Sequence, residues 1–249
     1  MGGMKTFSLF TAALAMVCVC EAASEAANSA RDAARQYGAA VRNCDMAWAV
    51  DSMYPPLRRT YADQLTSRTR EAEIARARRV QGLDRETVVE AKARMAANDK
   101  ALRAKYARMG QDMKKRGLEV ESYTVGEATA EYVVTPPMAA ISQVRRDTDG
   151  RVRAEHIGQT QERSRIVVLP TTLIISAPAQ GGRRTRMERR SYIFAVRDEV
   201  ITDKSQPRGT VLNKWYFIDG NTDVNTLRTF FPDLPLYLRL PGTGDRILP

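Results

Sequence analysis

Few residues in this chain could do chemistry, and their scarcity narrows the field. Among 249 residues there are one histidine, His156, and three cysteines. A zinc-type site needs several nitrogen and sulfur donors at set spacing, which one imidazole and scattered carboxylates cannot supply. Asp147-Thr-Asp149-Gly150 begins like a calcium loop, but its glycine comes too early and no acidic residue closes it. Asp149-Gly150 therefore reads as a two-residue hairpin turn. A serine or cysteine hydrolase would need a base, and His156, in a strand pattern near Glu155 and Gly158, reads as structural or solvated. No Gly-x-Ser-x-Gly elbow and no nucleotide-binding glycine pattern occurs, so the sequence indicates neither a hydrolase nor a cofactor. What remains is basic. Arg76, Arg78, Arg79 and Arg85 near one bend, with Lys114-Lys115-Arg116 beyond, carry the groups that meet phosphate or sulfate oxygens. No aromatics are interleaved for base stacking, which argues against nucleic acid. An anion-binding surface for a glycan or an acidic protein stands against the plainer reading, a solvated helical hairpin.

Charge and leader set the context for these groups. Residues 58–116 hold 17 Lys+Arg against 8 Asp+Glu, whereas 117–249 hold 18 against 16. The formal net charge of +10 thus belongs almost wholly to one segment. Met4-Lys5, an apolar run over 7–20 and then Ala22-Ala23-Ser24 have the pattern of a secretory signal peptide over 1–22. Export to the periplasm or medium follows as the expectation, and with it no intracellular nucleic acid. Cys18 and Cys20 would anchor the chain to a membrane only if lipidated, and Val17 and Val19 stand where a lipoprotein signal wants a small residue. Loss of the leader leaves Cys44 alone, so no intramolecular disulfide forms. Cys44 reads as a buried small hydrophobe. The other reading, a dimer-bridging thiol, keeps a homodimer open.

The elements that must position these groups divide at Gly117. Before it the apolar period is helical. Ala33, Tyr37, Val41, Cys44 and Trp48 predict a helix over 24–53, and Pro55-Pro56 breaks it, with Tyr54 extended and a new helix starting at the prolines. Gly82 fits a helix end and Asp84 the cap of the next, which carries a stripe of Val88, Met95, Leu102 and Met109, with Tyr106 and Met113 offset. After Gly117 the period is two. Strands are expected over 118–125, 130–134, 141–146, 152–157, 165–169 and 171–176 (with Pro170 between them marking an edge or bulge), then, after a tight turn at Gly181-Gly182, over 192–196, 211–218 and 234–240. The 211–218 strand has two apolar faces, Trp215 and Phe217 on one and Tyr216 and Ile218 on the other, and is expected mid-sheet. Asp219-Gly220 is a turn, and Asp223 caps a short helix bearing Val224, Leu227, Phe230 and Phe231. The sum is a single α+β domain over 23–249, with 60–116 as a basic helical arm within it.

Several stretches carry a resemblance. Asp45-Met-Ala-Trp48-Ala-Val-Asp51-Ser-Met-Tyr54-Pro55-Pro-Leu57, Met113-Lys-Lys-Arg-Gly117-Leu-Glu-Val-Glu-Ser122-Tyr-Thr-Val-Gly126, Val168-Leu-Pro170-Thr-Thr and Lys214-Trp-Tyr-Phe-Ile-Asp219 are four. With Phe231-Pro-Asp233 and Leu240-Pro241, they resemble exported bacterial proteins of unassigned activity in the ketosteroid-isomerase-like, or nuclear transport factor 2-like, α+β cone superfamily. The resemblance spans nearly all of 26–241, with 60–98 as an elaboration. It implies a cystatin-like cone, N-terminal helices packed on a curved antiparallel sheet of about six strands. It further implies a cavity whose lining would be Asp51, Tyr54, Tyr123, Tyr192 and Tyr216. Such a fold hosts many functions. The expected one is a non-catalytic binding module for an unknown protein, glycan or small apolar ligand, without metal. The alternatives are an isomerase or dehydratase working through a buried carboxylate and tyrosine, and an adhesion or signalling protein acting through the basic arm.

Export has a direct check. Intact-mass measurement of protein from the envelope or medium should show loss of roughly twenty residues, with the mature chain starting near Ala23. A retained N-terminus would remove the leader reading.

Overall fold

The computed structural model describes residues 9–67, 70–80, 87–134, 142–146, 152–156, 162–200 and 214–249. In chain order the described elements are the helices α1 (Leu9–Arg42), α2 (Met46–Asp51), α3 (Pro55–Thr66), α4 (Arg70–Val80) and α5 (Val88–Lys115), then the strands β1 (Glu119–Val125), β2 (Ala130–Val134), β3 (Ser142–Arg146), β4 (Val152–His156), β5 (Glu162–Pro178) and β6 (Arg184–Val200). Strand β7 (Tyr216–Asp219), helix α6 (Val224–Phe230) and strand β8 (Gly244–Leu248) complete the order. The class is α+β, as the change of period at Gly117 predicts. The Asp149-Gly150 turn, Asp84, Gly82, Arg85 and the 211–213 part of the expected strand lie outside the described residues.

The sheet is open, antiparallel and six-stranded, built on the long β5–β6 hairpin. Gly181 and Gly182 turn that hairpin at φ 76° and 75°, values only glycine takes without strain. β1 and β2 line the outer edge of β5, and β7 and β8 the outer edge of β6, while β3 and β4 pair as a separate two-stranded sheet. Pro170 lies inside continuous β5 rather than at an edge or bulge. It sits where β1 stops and β2 starts, its carbonyl accepting from Gly126 N–H at 2.9 Å. Its missing N–H faces that gap, so no ladder bond is lost.

Cross-strand pairing assigns the faces. Ile166 opposite Val196 and Val168 opposite Phe194 share one side with Ile218; Val167 opposite Ala195 and Leu169 opposite Ile193 share the other with Trp215 and Phe217. Both sides are covered. The small residues Ala30 and Ala34 let α1 lie close on the second face. Tyr54, Leu57, Leu227, Phe231 and Leu234 cover the first.

Four local expectations need correction. The 24–53 helix breaks at Cys44, which adopts φ 53°; Cys44 N–H reaches the Val41 carbonyl and Asp45 N–H the Ala40 carbonyl, a left-handed helix stop, before Asp45 caps α2 through Trp48 N–H. Helix α5 begins at Thr87, not Asp84, in a capping box with Glu90. The 234–240 leucines form no strand. Pro232, Pro235 and Pro241 interrupt their donors, and the segment instead folds onto the sheet, with Arg239 N–H on Tyr132 Oη at 3.0 Å and Leu236 left exposed. Finally β7 is a terminal strand of the ladder, not a central one. Its outer edge is closed by the α2–α3 junction, where Phe217 N–H donates to the Ser52 carbonyl at 2.8 Å and Tyr54 N–H to the Phe217 carbonyl at 3.0 Å.

The expected α5 stripe is also displaced. Leu102 is buried, but Met95 and Met109 are exposed, and the inward face carries polar pairs. Arg58 grips Asp99 in two bonds of 2.5 and 2.6 Å and meets Asp51 at 3.0 Å; Arg103 meets Asp51 at 3.1 Å; Asn98 donates to Asp63 at 2.8 Å. This polar seam fastens α3 to α5. At the other end of α5, Gly117 takes φ 68° and hands the chain to β1.

Trp215 ties α1 to the sheet. It is buried, its Nε1–H donates to Ser29 Oγ at 3.0 Å, and the Arg197 guanidinium sits 4.6 Å from its ring centre. Trp215→Ala should cost about 3–5 kcal/mol, read as a lowered denaturation midpoint. A midpoint equal to the parent's would show that this contact does not hold the helix.

Candidate functional site

Where α1, α2, α3 and α5 meet β7, their side chains leave a cavity of about 460 Å³. Its inner wall is apolar: Leu57 from α3, Leu102 from α5 and Phe217 from β7 are each almost fully buried. Three tyrosines from three helices line it as well: Tyr37 of α1, Tyr61 of α3 and Tyr106 of α5. Four polar residues, Gln64, Lys105, Asp219 and Asn221, are exposed and so define the mouth, with Thr222 half-buried beside them.

Local chemistry sets each of these groups. Tyr37 is held by Phe217, with ring centres 4.9 Å apart, and by Trp48 and Tyr123 at 6.4 and 6.3 Å. Gly38 follows it because a Cβ there would run into the Tyr123 ring. Asp219 ends β7. Its Oδ1 accepts the Asn221 N–H at 2.8 Å and its carbonyl accepts from Thr222 N–H at 2.9 Å, so the turn itself aims the carboxylate. Gly220 is required here, since any side chain would meet Tyr192. Neither Asp219 nor Lys105 forms an ion pair among the described residues.

The electrostatics of the site are coherent. Burial pushes the Tyr37 hydroxyl up to about 12, with the Asp219 charge and Tyr106 adding to the shift. Burial also raises Tyr106, helped by Tyr61 and again by Asp219. At neutral pH these tyrosines therefore keep their protons and present O–H donors, not bases.

None of the five residues expected in a cavity lines this one. Asp51 is on α2, engaged by Arg58 and Arg103. Tyr54 is buried in the sheet core against Phe231, ring centres 5.2 Å apart. Tyr123 packs edge-on against Tyr37, its hydroxyl bonded to Thr171 and its pKa raised by burial. Tyr192 packs edge-on against Phe194 at 5.5 Å, and the Lys214 ammonium lies 4.9 Å from the Tyr216 ring centre. Four of the five are buried or packed aromatics, Tyr216 among them, the usual fate of tyrosine in a sheet. Of the arginines, Arg76 and Arg78 are exposed on α4; the Arg79 side chain and Arg85 lie outside the described residues. Tyr37 and Tyr106 show in the sequence only as packing positions on helices, and Tyr61 carries no signal of its own. Asp219 showed only as half of a turn.

Among the described residues no three His, Cys, Asp or Glu are placed to hold a metal, and no helix is long and apolar enough to cross a membrane. No family model, curated protein or solved structure matches this chain.

The tyrosine shifts imply an alkaline limit. Tyr37 titrates near 12 when folded against about 10 when unfolded, so the folded chain keeps a proton the unfolded chain loses. This contribution is complete below about pH 10 and is lost as pH rises toward 12, on the order of 2 kcal/mol. Denaturant melts at about pH 9 and 11 should show the decline, and Tyr37→Phe should remove its share. An identical decline in that variant would put the pH sensitivity elsewhere.

Proposed function

We propose that the chain is an exported binding protein without catalytic activity, and that it takes a small, largely apolar ligand into the cavity between Tyr37, Tyr61 and Tyr106. One observation carries this reading: a cavity of about 460 Å³ with an aliphatic and aromatic interior and its polar groups gathered at the mouth. That is the size and the distribution of polarity of small-molecule sites. The leader pattern at 1–22 supports a periplasmic or secreted location. Helices first, an antiparallel sheet after and a cavity between them are also what the cone resemblance would call for, with α4 and the start of α5 as its basic elaboration.

An isomerase or dehydratase is the second reading, and a specific observation favours it: a carboxylate, Asp219, lines the same cavity as the tyrosines. The tyrosines could then act as hydrogen-bond donors to a developing oxyanion. Against it, the Asp219 carboxylate is exposed and held in its own turn rather than sunk among apolar groups.

Nile red gives the test. Its fluorescence should rise on mixing with the chain, and Gln64→Trp, which puts a large ring at the mouth on an exposed position, should abolish the rise with the circular dichroism unchanged. Enhancement that ignores the mouth substitution would move the binding surface away from the cavity.

A further inference from the structure

Resting on the reading of the cavity as a ligand site, we infer that its ligand is a zwitterion of the amino-acid type, with an ammonium and a carboxylate at one end and an aromatic or branched apolar body at the other. The mouth carries one anion, Asp219, and one cation, Lys105, and among the described residues the cavity lining holds no other charged group. The two come from different walls, the end of β7 and the middle of α5. They do not neutralise each other, since no ion pair joins them. A singly charged head would be drawn to one wall and repelled by the other. A neutral head would use neither. A head with both charges satisfies both walls at once, and the exposed positions let it do so without full desolvation.

The interior selects the body. Tyr37, Tyr61, Tyr106 and Phe217 offer ring faces and edges, and Leu57 and Leu102 fill between them. Flat or branched apolar groups pack best against such walls. The tyrosine hydroxyls take no hydrogen-bond partner among the described residues; burial and then Asp219 raise Tyr37, and burial, Tyr61 and Asp219 raise Tyr106. They are donors available to a ligand carboxylate or carbonyl.

Four probes sharing one phenyl body separate the outcomes: L-phenylalanine, phenethylamine, hydrocinnamate and phenethyl alcohol, each titrated calorimetrically into the purified full chain. L-phenylalanine should bind tightest. Asp219→Asn, which keeps the turn, should weaken L-phenylalanine and phenethylamine by about fivefold, the upper end for an exposed ion pair, and should not weaken hydrocinnamate. Lys105→Gln should weaken L-phenylalanine and hydrocinnamate and spare phenethylamine. Equal binding of all four probes, or a preference for phenethylamine or hydrocinnamate over L-phenylalanine, would overturn the zwitterion while leaving the cavity as a ligand site. Binding of none, together with Nile red fluorescence indifferent to Gln64→Trp, would overturn both.

Discussion

The two hydrogen bonds between Phe217 and the 52–54 backbone are the joint on which the rest of the structure depends. Strand β7 has four residues and only one paired neighbour, β6. Its free edge would present unsatisfied N–H and C=O groups beside two apolar faces, an arrangement that invites pairing with another chain. Ser52 and Tyr54 supply the missing acceptor and donor at 2.8 and 3.0 Å. They can do so because α2 ends at Asp51 and Pro55 starts α3, which holds Tyr54 out of the helical region at ψ 123°. Helix and sheet are thereby joined by backbone, not merely stacked.

That joint brings α3 beside the sheet margin, and charge then brings α5 beside α3. The positive excess of 58–116 is not simply left to solvent. Arg58, Arg94 and Arg103 turn toward Asp51, Asp63 and Asp99, with the Arg58–Asp99 pair bidentate and half-buried. Bidentate geometry fixes orientation as well as distance. A purely apolar stripe would have let α5 slide or roll; the seam sets its register, with Leu102 and Tyr106 facing inward. The cavity is what remains between a backbone joint on one side and a polar seam on the other. Its walls come from four helices and a strand end, none of which could enclose it alone.

This also accounts for the electrical character of the site. Asp219 lies at a strand end, where a turn and not a partner side chain holds it, so its field extends into the cavity and reaches Tyr37 and Tyr106. Lys105 comes from a different element, α5, whose register brings it to the same cavity. Apolar interior and dipolar mouth are thus consequences of the same two constraints.

By itself the sequence determined the kind and order of most elements. Period 3.6 before Gly117 and period 2 after it, prolines at 55 and 56, the Gly181-Gly182 turn and the two-faced apolar pattern of 215–218 are local signals, and each appears where it was read. Tertiary structure decided everything lateral. Trp215, Phe217 and Ile218 announce a strand covered on both faces, yet the same pattern serves a central strand or a terminal one sealed by a loop. Leu234, Leu236, Leu238 and Leu240 alternate like a strand, but without a partner ladder and with Pro235 among them they pack as irregular chain. Tyr37, Tyr61 and Tyr106 lie far apart in sequence, and nothing local joins them into one site. Alternation and helical spacing report what a residue does relative to its own element. Which elements face each other, and where they fail to fill the space between, depends on long-range hydrogen bonds and ion pairs whose partners lie dozens of residues or more away.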